Sequence, residues 1–490
     1  MNLISKSAFI KAEQCLKYFY LYKNHLYLRD KLSKDKQFIF KRGIDVGVYA
    51  QQFFPNGIDV TADEKQNQVL FAQKTQTLIA QGITTIYEAT FIYNNLSVMV
   101  DILHLSDNGW VAYEVKSSLK ISETYVKDAC FQYYVIKNCL PDLVGFNLLT
   151  LNPKYVLDTD IDIKQLFKVT SVIKDAQKNE DYFDHKTKIA QHVLEQNKIP
   201  DIAIGTHCFQ PYDCDFIGTC WKDMQQEGSI FSLGKLSKQT MLDFYNNNIK
   251  QIKDIDINSI EKQDLKTQIL ATQQQTEQVN KEELSQFINT ISGKVCSMDI
   301  EVWMPAIPIY NGTKPFEMIP FLFSMVSEQT NHIEKHSYLK PITEDNREQF
   351  LIQLIDATTA FDFILVYDKS LEESVLNQLQ QLFPNYKNEI NHIKLKIVDL
   401  AIPIKKGSYY HPEMKGNFTL KSLASIVSDT TSFNDLDVQS GISAMYMYEG
   451  LLTSDTIFDH ENVKQALINY CEMDALTTYQ LYLHLLQKTN

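Results

Sequence analysis

Two hydrophobic rhythms alternate along the chain. Residues 97–105 (SVMVDILHL) are almost wholly β-branched or aliphatic, and residues 110–116 (WVAYEVK) alternate apolar and polar positions. Such runs predict strands, and Asp107-Asn108-Gly109 between them is a hairpin turn signal. Residues 122–140 (SETYVKDACFQYYVIKNCL) then predict a helix with a strong apolar face, on which Lys127 and Gln132 are polar positions. From about 226 to 290 the chain is polar and Gln-rich. Met241, Phe244 and Tyr245, then Leu265 and Ile269, recur at helical spacing and predict a helical connector. The tract 275–286 (QTEQVNKEELSQ) reads as a solvated helix.

Beyond 291 strands and helices alternate. Residues 295–301 (VCSMDIE), 321–328, 332–340, 361–368 and 393–400 (IKLKIVDL) predict five strands. A helix over 344–361, carrying Phe350, Leu351, Leu354 and Ile355, separates the third from the fourth. A long helix covers 461–487. Three strands followed by alternating helix and strand suggest an RNase H-like fold with a mixed five-stranded sheet. The expected organisation is α/β in three parts: 1–225, a helical connector 226–290, and 291–490.

At 490 residues the chain is too long for one core. A hydrophobic fraction of 44% is that of an ordinary globular protein, and no run approaches the length needed to span a bilayer. The polar N-terminus does not read as a secretory signal. A cytoplasmic protein without a membrane partner is therefore expected. A net charge of −13 argues against a broad basic coat for gripping DNA, and leaves open a local Lys groove beside acidic sites.

Two acidic constellations carry the candidate chemistry. In the first, Glu114 and Lys116 share one strand face, and Asp101 comes from the neighbouring strand. Asp101 and Glu114 would ligate Mg²⁺ or Mn²⁺, Glu88 would complete the shell, and Lys116 would neutralise the phosphate or polarise the water. Gln132 and Lys127 on the following helix are further polar candidates. In the second, Asp299 and Glu301 share a strand face, and Tyr470 and Asp474 lie one helical turn apart. Asp299, Glu301 and Asp474 would hold two metals, with Tyr470 orienting the water. Cys208, Cys214 and Cys220, spaced C-x5-C-x5-C, form a third cluster with Cys15 as the fourth thiolate. Four thiolates suit zinc or an iron–sulfur cluster, and His207 is an alternative ligand for zinc. Cys130, Cys139, Cys296 and Cys471 read as small core residues.

Ser7, Phe9, Cys15, Tyr18, Tyr20 and Leu21, together with the late cysteines, resemble the RecB/AddB-type PD-(D/E)xK nucleases that carry an iron–sulfur cluster. The resemblance covers about 1–225. It implies a 4Fe-4S cluster on Cys15, Cys208, Cys214 and Cys220 that clips the domain shut. The spacing of the last cysteines departs from those relatives, and Gly47 stands where they often have a His. The C-terminal part resembles the DnaQ-like DEDD exonucleases of the Tyr-containing subclass. The stretches MDIEVWMPAIPIYNGTKPFEMIPFLFS, YYHPEMKGNFTLKSL and YCEMDALTTYQL resemble an uncharacterised bacterial family that fuses the two nuclease types. In that pattern Glu372 fills the second acidic slot, Asp368, in place of the usual Asn, is the alternative metal ligand for that slot, Asp399 points at the same sheet end, and Lys421 is a candidate phosphate contact. The resemblance implies a metal-dependent DNA nuclease, with a C-terminal 3′→5′ exonuclease, in DNA repair, recombination or phage defence. Any helicase would be a separate chain. Action on RNA, and a nucleic-acid-binding scaffold with decayed sites, are the alternatives.

Overall fold

The computed structural model describes residues 3–62, 67–330, 332–428, 432–433, 436–452 and 460–489. The architecture is mixed α/β. The chain divides into two compact units, Met1–Lys222 with Pro305–Phe316, and Asp223–Met304 with Glu317–Asn490.

The first unit is built on a seven-stranded sheet of β1 (Ile4–Ser5), β2 (Ile58–Asp59), β3 (Thr85–Tyr93), β4 (Leu96–Ser106), β5 (Gly109–Lys116), β6 (Leu143–Leu151) and β7 (Phe167–Ser171). The main order is β2-β3-β4-β5-β6-β7, and β1 pairs parallel with β4. The hairpin expected at Asp107-Asn108-Gly109 joins antiparallel β4 and β5, whereas β5 and β6 are parallel. Gly109 has φ +129°, a conformation that L side chains rarely adopt. The helix Glu123–Cys139 starts on Ser122, whose side chain accepts from Tyr125 N. Its apolar face, including Ala129, Phe131 and Val135, enters the core of the unit. The helix Lys6–Gln14 is capped by Ser5, and Phe9 stacks on Phe131 with ring centroids 4.1 Å apart. That stacking fixes the N-terminal helix on the helix Glu123–Cys139.

The segment Pro305–Phe316 belongs to this unit although strands of the other unit flank it in sequence. Leu157 N donates to Thr313 O (2.9 Å), and Gly312 N donates to Leu157 O (2.6 Å).

The second unit holds the expected five-stranded mixed sheet, of β9 (Val295–Trp303), β10 (Ile319–Gln329), β11 (His332–Leu339), β12 (Phe363–Val366) and β13 (Ile397–Asp399). The order is β11-β10-β9-β12-β13. β10 is antiparallel to both neighbours, and β12 is parallel to both of its own. The helix Arg347–Thr358 lies within its expected span. The fifth strand is shorter than expected, because residues 387–396 are helical. Ile390 and Ile393, three apart, face the core at helical spacing, and the buried Lys396 ammonium donates to Thr358 O (3.1 Å).

The Gln-rich stretch forms the helices Lys238–Asn246, Gln263–Gln274 and Lys281–Ile288, all within this unit. The tract 275–286 is only partly helical: the short β8 (Gln278–Val279) pairs with β14 (Tyr409–Tyr410). The 30-residue helix His460–Thr489 packs on β9 and β10, and Ser297 Oγ donates to Ala475 O (2.6 Å). This contact sets one turn of the helix against the middle of β9.

Candidate active sites

The strand alternation of β9 sends Cys296, Met298 and Ile300 into an apolar core and Asp299 and Glu301 to the opposite face. Asp474 arrives there from the C-terminal helix. One carboxylate oxygen from each of the three lies within 4.8 Å of the others. Among the described residues this is the one group of three or more His, Cys, Asp or Glu ligand atoms drawn so close. Glu372 enters from the first turn of the helix Ser370–Leu382. It is buried, and its Oε2 has no hydrogen-bond partner among the described residues.

None of these four carboxylates is ion-paired within 4.0 Å among the described residues. Burial, and then the charge of Glu372, push Asp299 up to about 7. Burial holds Glu372 up to about 8, with Asp399 and Asp368 adding to it against the pull of its own backbone N–H. Glu301 and Asp474 are raised well above the carboxylate range, by burial first and then by Asp299. Four hard oxygen donors that repel one another fit Mg²⁺ or Mn²⁺.

Tyr470 and Asp474, i and i+4 on the C-terminal helix, are both buried on this side, and Asp474 is among the charges that raise the Tyr470 hydroxyl above its usual range after burial itself. Lys421 sits over the Tyr470 ring, 5.3 Å from its centroid, and donates to Gln439 O. Its charge opposes the upward shifts of Glu301 and Asp474. Asp368 turns elsewhere: it accepts from Ser370 Oγ (2.5 Å) and pairs with Lys405 (2.6 Å). Asp399 Oδ1 accepts the backbone N–H groups of Asp368 and Ala401 at 2.9 and 2.8 Å. Of the two acids weighed for the second slot, Glu372 is the one beside Asp299. Cys471 is buried as expected, yet its sulfur lies 3.3 Å from Asp299 Oδ2.

In the first unit, Glu88, Asp101 and Glu114 lie side by side on β3, β4 and β5. The registers Tyr87 to Ile102 and Ile102 to Tyr113 put them in one row. Glu88 has φ +54°, a left-handed conformation. Burial and the neighbouring charge of Asp101 push it up to about 8. Asp101 accepts from Val115 N (2.5 Å) and is pushed up to about 7 by burial and Glu114. Glu114 is held at about 2: Lys116 and Lys6 outweigh the opposing effect of burial. Lys116 Nζ bonds Glu114 Oε1 (2.8 Å) and Asp128 Oδ2 (2.6 Å). Lys6 Nζ reaches the same Glu114 oxygen at 2.6 Å. Gln132, fully buried one turn after Asp128, has no partner for either amide atom among the described residues, and Lys127 is exposed. Sequence reading missed Lys6 and Asp128. Asp128 had a signal, the i, i+4 spacing to Gln132, whereas Lys6 is distant in sequence and had none.

Cys15, Cys208, Cys214 and Cys220 line one cavity with Lys17, His207 and Trp221. Burial raises the Cys15 and Cys220 thiols and pushes Cys214 up to about 12. The two segments are zipped together beside the cavity. Gln14 Nε2 donates to His207 O and Tyr212 O (both 2.8 Å), Arg29 pairs with Asp215 (2.7 Å), and Gly218 N donates to Asp30 (3.0 Å). Gly218 is required there, because a Cβ would strike the Asp30 carboxylate.

The model of a domain of unknown function (DUF2779) matches residues 296–419. The match contains Asp299, Glu301 and Glu372 and stops before Lys421, Tyr470 and Asp474. No curated protein and no solved structure matches the chain. Among the described residues, no helix is long and apolar enough to cross a membrane.

Proposed function

We propose that the chain is a metal-dependent nuclease with two phosphodiester-hydrolysing centres, the second a 3′→5′ exonuclease of RNase H-like type. The observation that carries the reading is the set of half-buried Asp299 and buried Glu301, Glu372 and Asp474, with no cationic side chain paired to them among the described residues. Burying such a group is costly unless cations complete it. The strand order β11-β10-β9-β12-β13, with a long C-terminal helix over β9, supports the same fold type.

Mg²⁺ or Mn²⁺, when bound, would supply charge neutralisation of the phosphate and a more acidic water. Asp299, Glu301, Glu372 and Asp474 would hold it. Tyr470, one helical turn before Asp474, would orient a water, and Lys421 would offer a cation to a phosphate oxygen. The first unit is read as a PD-(D/E)xK-type nuclease, with Glu88, Asp101 and Glu114 offering oxygens and Lys116 the phosphate-facing charge. The four cysteines are assigned a 4Fe-4S cluster. Zinc on the same four thiolates is the alternative, since four cysteines lining one cavity suit either group.

The test is cleavage of end-labelled single- and double-stranded DNA and RNA by the full chain with Mn²⁺ or Mg²⁺. Asp299→Ala should remove stepwise 3′ trimming, and Asp101→Ala the other activity. A full chain that degrades neither polymer would remove the nuclease reading in favour of a binding protein.

A further inference from the structure

The ion pairing in the first unit is lopsided. Lys6 and Lys116 both bind Oε1 of Glu114, at 2.6 and 2.8 Å. Both also turn to Oδ2 of Asp128, Lys116 at 2.6 Å and Lys6 at 3.6 Å. The other oxygen of each carboxylate, Glu114 Oε2 and Asp128 Oδ1, is buried and has no partner among the described residues. The fully buried Gln132 amide, one turn beyond Asp128, is likewise unpartnered at both atoms. Buried polar atoms are nearly always satisfied, so a cluster of orphans marks a place where something else binds. The two lysines hold one edge of each carboxylate and leave the opposite edge presented.

The charges point the same way. Glu88, Asp101, Glu114 and Asp128 face Lys6 and Lys116, so full ionisation leaves two negative charges, matching one divalent cation. In the second unit half-buried Asp299 and buried Glu301, Glu372 and Asp474 have no paired cation among the described residues. The lysine that makes this difference comes from far away in sequence. Lys6 is the first residue of the helix Lys6–Gln14, which is fixed by the Phe9–Phe131 stack and followed directly by Cys15.

We propose that Lys6 is the built-in countercharge of the first unit's metal site, and that Asp128 is a fourth carboxylate of that site. Lys6 is a positioning residue: it keeps Glu114 and Asp128 assembled before a cation arrives and competes electrostatically with the cation for them. The proposal rests on the metal-site reading of the first unit.

Mn²⁺ binding by the full chain carrying Asp299→Ala, which silences the second site, is measured calorimetrically. It is compared with the same chain bearing Lys6→Met, Lys6→Arg or Asp128→Asn. Lys6→Met should bind Mn²⁺ roughly tenfold more tightly and cleave at least tenfold more slowly. Lys6→Arg should stay close to the parent in both, and Asp128→Asn should bind roughly tenfold more weakly. A purely structural lysine would weaken binding and cleavage together, and that result overturns the proposal. So does parent-like affinity in all three variants, which would leave the metal-site reading standing. If the Asp299→Ala chain binds no Mn²⁺, that reading falls and the proposal with it. Melting in EDTA checks that each variant is folded.

Discussion

Replacing Glu372 by Gln tests whether the second unit's carboxylates are strained before metal arrives. Glu372 rises from an ordinary 4.5 to about 8, first because burial removes water from its charged form. The unfolded carboxyl ionises near 4.5, whereas the folded one keeps its proton until about 8. The folded state therefore holds the extra proton, and stability falls as pH rises through that window and levels off above it. At about 1.4 kcal/mol per pH unit the gap sets a ceiling of about 5 kcal/mol. Relaxation and water entry bring the realised effect to about 1–3 kcal/mol. The assay is hydrogen exchange of β9 and C-terminal helix peptides in EDTA at pH 5 and 8.5, corrected for intrinsic rates. The Glu372→Gln chain should lose about 1–3 kcal/mol less opening free energy over that range than the parent. Saturating Mn²⁺ at pH 8.5 should protect the parent more than the variant. Equal pH dependence of the two chains in EDTA would refute the reasoning.

Tyr470→Phe should slow 3′ trimming about tenfold to a hundredfold and leave Mn²⁺ affinity unchanged, since the ring stays and only the water-facing hydroxyl goes. Asp368→Asn should stay active where Glu372→Gln is not, because Asp368 is committed to Lys405 and Ser370. Lys116→Met should abolish the first unit's cleavage, spare the second's, and destabilise the first unit by about 3–5 kcal/mol in EDTA as a buried pair is broken. Anaerobically purified protein should be brown, and Cys214→Ala should bleach it; colourless protein with stoichiometric zinc would replace the iron assignment.

Sequence alone reached furthest where chemistry and period coincide. On β9 the two-residue alternation separates Asp299 and Glu301 from an apolar core, and at Tyr470 and Asp474 the helical turn pairs two functional groups. The hairpin at Asn108-Gly109 was equally plain because its turn needs those residue types. Residues 387–396 were harder: Ile393, Leu395 and Ile397 alternate like a strand, whereas Ile390 and Ile393 also satisfy a helix, and packing decides between them. Glu372 and Asp368 stand four apart around a helix start, so no local rule says which one turns inward. Lys6 was illegible for a different reason. Its partners lie 108 and 122 positions away, and it is the pairing of Ile4–Ser5 with β4 and the stacking of Phe9 on Phe131 that bring them within reach.

The assignment of Pro305–Phe316 to the first unit has a consequence for how the protein is made. A ribosome finishes β9 of the second unit before it delivers Thr313 to Leu157 of the first. The early segment that carries Cys15 also waits, since its hydrogen-bonding partners at His207 to Gly218 emerge almost two hundred residues later. The two bodies therefore cannot mature one after the other as beads on a string. A gene cut near residue 225 would strip the first body of a segment that closes on it, and would leave the second carrying that segment without its seat.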